Sequence, residues 1–270
     1  MAGVVVVFDF DKTIIDCDSD NWVIDALGFT ELFEELLPTM PWNSLMDKMM
    51  TALHMHGITI SDIEESLKGA PIDPNVITMI KAAYALGCDL RIVSDANQFF
   101  IETILRHHGL KEYFTEINTN PGFVDSEGRL RILPYHDFHK SSHGCDLCPP
   151  NMCKSKILEK IKASVSDDGK KHFIYLGDGK GDYCPSLRLG ESDFVMPRKN
   201  YPLWELINSN PHLLKAEVHE WLYGEDQAKT LLQLIHRAAE CSALAADCKF
   251  GSIPLSQNGG LGHLAVRVPN

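Results

Sequence analysis

No apolar run in the sequence reaches the roughly 20 residues that a bilayer-spanning helix needs. The residues ahead of Val4 include no basic one, and the apolar run 4–8 is too short for a signal-peptide core. The expectation is a cytoplasmic protein whose eight cysteines are mostly reduced. Positive charge is scarce: 25 Lys and Arg face 37 Asp and Glu, for a formal net charge of −12. That balance argues against nucleic acid or an anionic membrane as the main partner. It leaves room for an anionic substrate held through a metal. There is no internal repeat, and nothing marks an obligate protein partner.

What is there is an ordinary globular composition, 44% hydrophobic and 23% charged over 270 residues. This suffices for one large domain or for a core domain with an inserted cap. The chain is organised around Val4-Val5-Val6-Val7-Phe8, which reads as a strand buried on both faces. It runs straight into Asp9-Phe10-Asp11-Lys12-Thr13. In extended backbone, residues i and i+2 point the same way, so Asp9 and Asp11 are expected to share one small volume at the strand's carboxyl end. Two carboxylates that close ask for a metal, a proton, or both.

After that strand, residues 16–72 read as helices with no strand between them. A polar cluster, Asp18 to Asn21, caps the first helix and Gly28 stops it. The second covers 32–37. Pro41 opens a third over 42–56, and Ser61-Asp62-Ile63-Glu64 reads as the capping box of a fourth. This insert is expected to sit over the first strand as a cap. Residues 1–15 and 73–248 form the expected core, and 249–270 an expected flexible tail. In the core, Asp73-Pro74 starts a helix that ends at Gly87. Strands are predicted at 89–93, 114–119, 172–176 and 193–196, a hairpin at 123–133, and helices at 98–108, 155–163, 201–208 and 226–244. Strands alternating with helices give an α/β fold, a Rossmann-like parallel sheet with a small helical cap.

Four polar signals fall at predicted strand ends or helix starts: Asp9 with Asp11, Ser94, Lys154, and Asp178 with Asp182 in Gly177-Asp178-Gly179-Lys180-Gly181-Asp182. Carboxylate oxygens around an open site suit Mg²⁺. A serine, a lysine and backbone amides suit a phosphoryl group, and a free aspartate can attack phosphorus. This ordered set resembles the haloacid dehalogenase superfamily of phosphohydrolases. The fuller strings Asp9-Phe10-Asp11-Lys12-Thr13-Ile14-Ile15-Asp16, Val93-Ser94-Asp95-Ala96-Asn97, Cys148-Pro149-Pro150-Asn151-Met152-Cys153-Lys154 and Gly177-Asp178-Gly179 are similar to the PHOSPHO-type phosphatases. Within these they look most like the plant branch of thiamine monophosphate phosphatase-like and inorganic pyrophosphatase proteins. The resemblance covers residues 4–240.

It implies a phosphatase acting on a small phosphorylated metabolite through an aspartyl-phosphate. Asp9 would be the nucleophile and Asp11 the general acid and then base. Ser94 and Lys154 would bind the phosphoryl oxygens, and Thr13 would help fix the loop. Mg²⁺ would be held by Asp9, the Asp11 carbonyl and Asp178, with Asp182 orienting a metal-bound water or holding Lys154. Thiamine monophosphate is the leading substrate. Inorganic pyrophosphate and phosphoethanolamine or phosphocholine are alternatives, as are a phosphotransferase and a catalytically silent scaffold on the same fold.

Asp20 and Asp95 match positions associated with substrate binding, and both also fit helix capping. With Trp22 and Trp42 they would suit a cationic leaving group. Cys145, Cys148 and Cys153, near His136, His139 and His143, are open to three readings: structural thiols, a zinc ligand set lacking a second paired half, or a disulfide.

Overall fold

The valine run forms the central strand of a computed structural model that describes residues 3–165 and 171–250, with side chains to residue 240. In chain order the elements are β1 (Val4–Phe8), α1 (Ser19–Ala26), α2 (Thr30–Leu36), α3 (Trp42–Met55), α4 (Ile60–Lys68) and α5 (Pro74–Ala85). Next come β2 (Asp89–Asn97), α6 (Gln98–His107), β3 (Glu116–Asn120), β4 (Gly122–Val124), β5 (Leu130–Ile132) and α7 (Lys154–Ser164). The chain ends with β6 (His172–Gly177), α8 (Tyr183–Ser186), β7 (Phe194–Pro197), α9 (Pro202–Ser209), β8 (Glu217–Val218) and α10 (Gly224–Phe250).

Six parallel strands pair in the order β3-β2-β1-β6-β7-β8. Strand alternation splits β1 between two cores. Val4, Val6 and Phe8 pack with α5, α6 and α10, while Val5 and Val7 pack with α7 and α9. Each fully buried valine contributes roughly 1.5–3 kcal/mol, so the strand that carries Asp9 is anchored from both faces. The chain builds outward from β1 through β2 to β3, then crosses to β6 and builds the other way. The topological switch therefore lies between β1 and β6, at whose carboxyl ends an open sheet binds ligands.

Several elements differ from the sequence reading. The capping box of α4 is Thr59 with Asp62, not Ser61 with Glu64: Thr59 Oγ1 accepts from Asp62 N at 3.2 Å, and Asp62 accepts from Thr59 N at 2.8 Å. Both frames satisfy the spacing. The observed one lets the helix begin at Ile60, which packs against the core that buries Ile63 and Leu67. β2 runs on to Asn97 through a register irregularity after Val93, so Ser94 to Asn97 form a bulged strand end, not a loop. The two-residue strand β8 was not foreseen, because among the described residues it pairs only with β7, distant in sequence. α10 continues past the predicted end to Phe250, and residues 251–270 of the expected tail lie outside the described residues. Among the described residues, no helix is long and apolar enough to cross a membrane.

Candidate active site

At the carboxyl end of β1 the chain does not stay extended. Thr13 and Ile14 donate backbone bonds to Phe10 O, and Lys12 adopts a left-handed conformation with φ of 55°. This turn gives Asp9 and Asp11 different neighbours. Both line a cavity of about 580 Å³, but in different company. Asp9 is buried, its Oδ1 accepting from Phe10 N at 2.7 Å and its Oδ2 lying 2.9 Å from Lys154 Nζ. Burial, then Asp182, pushes Asp9 well above the carboxylate range, and Lys154 opposes them. Asp11 accepts from Ser19 Oγ at 3.2 Å, and its Oδ1 is buried without a partner among the described residues. Burial, then Asp18 and Asp20, raises it well above its ordinary value.

Lys154 opens α7 and is 3% exposed, which makes its ion pairs strong. Its Nζ lies 2.9 Å from both Asp9 and Asp182 and 3.6 Å from Asp95. Burial alone would lower Lys154, but Asp182, Asp9 and Asp95 outweigh it and hold the ammonium charged. Asp182 is fully buried. Its Oδ1 accepts from Lys154 and from the Tyr175 hydroxyl at 2.7 Å, and its Oδ2 accepts from the amides of Asp178 and Gly179 at 3.2 and 2.9 Å. A Cβ on Gly177 would lie 2.4 Å from Asp182 Cγ, so only glycine lets β6 close over that carboxylate.

Asp178 is buried and carries no side-chain hydrogen bond among the described residues. Burial, then Asp182, raises it to about 7. Oxygens of Asp9, Asp178 and Asp182 lie within 4.8 Å of one another. Ionised together, these three buried carboxylates with one ammonium leave two negative charges in excess, a charge that a hard divalent cation would offset. Asp182 has each oxygen engaged by two donors, so Asp9 and Asp178 are the carboxylates with capacity left for direct ligation. The Asp11 side chain lies outside this group.

Thr13 is buried, does not line the cavity, and offers its carbonyl to Gln227 Nε2 at 3.0 Å, which fits a loop anchor. Ser94 is fully buried at the end of β2 and does not line the cavity; its Oγ accepts from Ala96 N at 3.3 Å. Asp20 and Asp95 both line the cavity. Asp20 accepts from Trp42 Nε1 at 2.7 Å and from Asn97 Nδ2 at 3.5 Å, and burial, then Asp18, raises it to about 7. Trp42 joins the cavity wall and packs edge-on against Phe33. Trp22 does not join it: its Nε1 donates to Ser66 O at 2.8 Å among the inserted helices.

Sequence reasoning missed Tyr175 and Arg198. Buried Arg198 donates to Lys12 O at 2.8 Å and to Asp16 Oδ1 at 2.6 Å, between the rings of Tyr201 and Trp221. It pins the loop that carries Asp9 and Asp11. Its only trace in the sequence is an arginine directly after an apolar strand.

A buried carboxylate at the end of the central strand, a lysine paired with it, and a second carboxyl raised by burial beside the inserted helices fit a phosphatase of the haloacid dehalogenase type. Comparison with known proteins agrees: the chain matches the Putative Phosphatase family over residues 4–235 and belongs to it. It is 62% identical to "Inorganic pyrophosphatase 2" of Arabidopsis thaliana over 87% of this chain and 84% of that one. It is 56% identical to "Thiamine phosphate phosphatase-like protein" of Arabidopsis thaliana over 87% of this chain and 96% of the relative. A HAD family hydrolase from Salmonella enterica serovar Typhi shares the fold, with a TM-score of 0.57 at 15% identity over 87% of this chain and 71% of the other. The protein is a phosphatase acting on small phosphorylated substrates.

Proposed function

We propose that this phosphatase is Mg²⁺-dependent, forms an aspartyl-phosphate on Asp9, and prefers thiamine monophosphate. The observation that carries the reading is the division of labour on one loop. Asp9 faces Lys154 at 2.9 Å, and Asp11 stands apart, its carboxyl raised well above the usual carboxylate range by burial. An Asp9 oxygen attacks phosphorus while the bond to the leaving oxygen breaks, and Asp11 gives that oxygen its proton. Asp11 then takes a proton from water, and the water oxygen attacks the aspartyl-phosphate, releasing phosphate and restoring Asp9. Lys154 balances charge on the phosphoryl oxygens, whereas Ser94, expected to bind them, is fully buried and does not reach the cavity. Asp9, Asp178 and the Asp11 carbonyl would hold Mg²⁺, which would offset the repulsion between the phosphate and the buried carboxylates.

For the substrate, the outer wall matters. Asp18, Asp20, Asp95 and Trp42 offer carboxylates and an aromatic face, which suit a cationic leaving group. A second reading, inorganic pyrophosphate, is favoured by the relative of that name and by Lys12 and Lys180 on the same wall.

The test is phosphate release from a panel of thiamine monophosphate, phosphocholine, an aryl phosphate and pyrophosphate, with and without Mg²⁺. Thiamine monophosphate should give the highest kcat/KM, and chelation should abolish turnover. Asp9→Asn should fold normally and lose at least about a thousandfold in kcat on every substrate. Full turnover in that variant would end the mechanism.

A further inference from the structure

The segment between β5 and α7 is long and irregular, and most of its side chains face solvent. Leu147, its largest apolar residue of this kind, is 58% exposed. A loop of this length without secondary structure, inside a compact domain, needs something to hold it. Apolar burial does not supply that here until Met152 and Cys153.

What the segment does contain is sulfur. Cys145, Cys148 and Cys153 converge with Cys184 of α8, and their four Sγ atoms all lie within 4.8 Å of one another. Cys145 and Cys184 are 3.6 Å apart, well beyond a disulfide bond, and all four are free thiols. Cys184 is the partner that the sequence spacing did not reveal, because it lies in α8, just after the Asp178–Asp182 turn. The histidines expected nearby are not in the group. His143 Nε2 is 2.8 Å from Pro149 O, and His136 Nε2 is 2.7 Å from Ser141 O.

We infer that Cys145, Cys148, Cys153 and Cys184 bind one zinc ion, which clips the Lys154 loop to the Asp182 turn. With Zn–S bonds of about 2.3 Å, a tetrahedron of thiolates has sulfur–sulfur edges of about 3.8 Å, and the observed shell needs only to tighten slightly. A shell this small holds a single ion, not a polynuclear cluster. Four soft thiolates select zinc over the hard cations suited to Asp9 and Asp178. All four positions are filled by protein, so the site is structural and the ion activates no water. Binding releases the thiol protons to solvent.

The location gives the clip its consequence. Cys153 immediately precedes Lys154, and Cys184 lies two residues after Asp182, so the ion fixes both ends of the 2.9 Å Lys154–Asp182 pair. The same loop puts Pro149 and Asn151 on the cavity wall. Zinc therefore acts as a positioning element for the lysine that faces the phosphoryl group, and its binding is measured without reference to turnover.

The test uses the full chain, purified under reducing conditions without chelator from zinc-containing medium. Metal analysis should find about one zinc per chain, retained through exchange into Mg²⁺ buffer. Cys184→Ser and the Cys145→Ser/Cys148→Ser pair should lose it, whereas Cys88→Ser, outside the cluster, should keep it. Cobalt-substituted wild type should show the intense thiolate-to-metal absorption of a four-sulfur tetrahedral site, a readout that stands even if the serine variants fail to fold. Zinc removal should lower kcat at saturating Mg²⁺ at least about tenfold through misplacement of Lys154. Zinc near zero with four freely reactive thiols, or a Cys145–Cys184 disulfide in the native protein, would overturn the inference.

Discussion

Asp9 and Asp11 are one residue apart in sequence, and the turn at Phe10 sends them to different neighbours. Asp9 is raised by burial and Asp182 against the opposing Lys154, Asp11 by burial near Asp18 and Asp20. A protonated Asp11 matters most where the leaving oxygen needs a proton. Asp11→Asn should therefore cost about 10²–10⁴-fold in kcat on an alkyl phosphate. It should cost far less on p-nitrophenyl phosphate, whose leaving group departs unprotonated. Equal losses on both would show that Asp11 only shapes the site. Asp20 allows a different measurement. Its carboxyl, raised from 3.8 to about 7, binds a proton in the native chain that the unfolded chain has already released between those values. Stability from this group therefore falls as pH rises through that window, and the whole cost is present above it. Asp20→Asn should be more stable than wild type at pH 8, by up to about 4 kcal/mol, with the gain vanishing near pH 4. Urea unfolding at both pH values checks this. At this scale the six motif residues were legible because each sits at a strand end or helix start. Tyr175 and Cys184 were not, because what gives them meaning, Asp182 and the loop thiols, is fixed only by the folded register of β6 and its turn.

Elements were legible where periodicity and caps agreed, as in β1, α5 with its Asp73-Pro74 start, and the long α10. They blurred where two local signals competed, as at the start of α4, or where pairing alone makes the strand, as in β8. The loop after β1 could be placed from sequence, but its fastening could not. Arg198 comes from the far end of β7 to hold Lys12 O and Asp16, and Gln227 comes from α10 to hold Thr13 O. A lysine at 198 keeps the charge and loses the fork that serves two acceptors at once. Arg198→Lys should cost about 1–3 kcal/mol of stability and lower kcat with little change in KM, because the loop carries the reacting carboxylates and not the leaving-group wall. Unfolding curves and steady-state kinetics on one preparation separate the two effects. Lost stability with normal kcat would reduce Arg198 to a packing residue.

The whole molecule combines a formal charge of −12 with a cavity lined by seven aspartates and three lysines. The expected partition, a cap over 16–72 on a core of 1–15 and 73–248, is a proposal under which both parts would supply that wall. Asp18 caps α1, Asp20 and Trp42 lie in α1 and α3, Asp95 lies in β2, and Asp9 and Asp178 directly follow β1 and β6. The β4–β5 hairpin crosses the partition, since Asp47 of α3 takes Arg131 through two bonds of 2.8 and 2.7 Å and also accepts from Ile132 N. The inserted layer is thus tied to the β4–β5 hairpin, and Asp18 and Asp20 line the cavity. An acidic wall of this kind repels a bare anion and attracts a leaving group that carries its own positive charge. Asp20→Asn and Asp95→Asn should therefore lower kcat/KM for thiamine monophosphate by about five- to thirtyfold relative to an aryl phosphate, as a partly screened charge pair would. Asp20 supplies an internal control, because its carboxyl is neutral at pH 6 and charged at pH 8. Wild-type preference for the cationic ester should grow across that interval, and in Asp20→Asn it should grow less. Parallel losses on both esters at every pH would mean that the two aspartates shape the wall without reading charge. Faster turnover of pyrophosphate than of thiamine monophosphate would overturn the substrate preference while leaving the phosphatase chemistry of Asp9 and Asp11 intact.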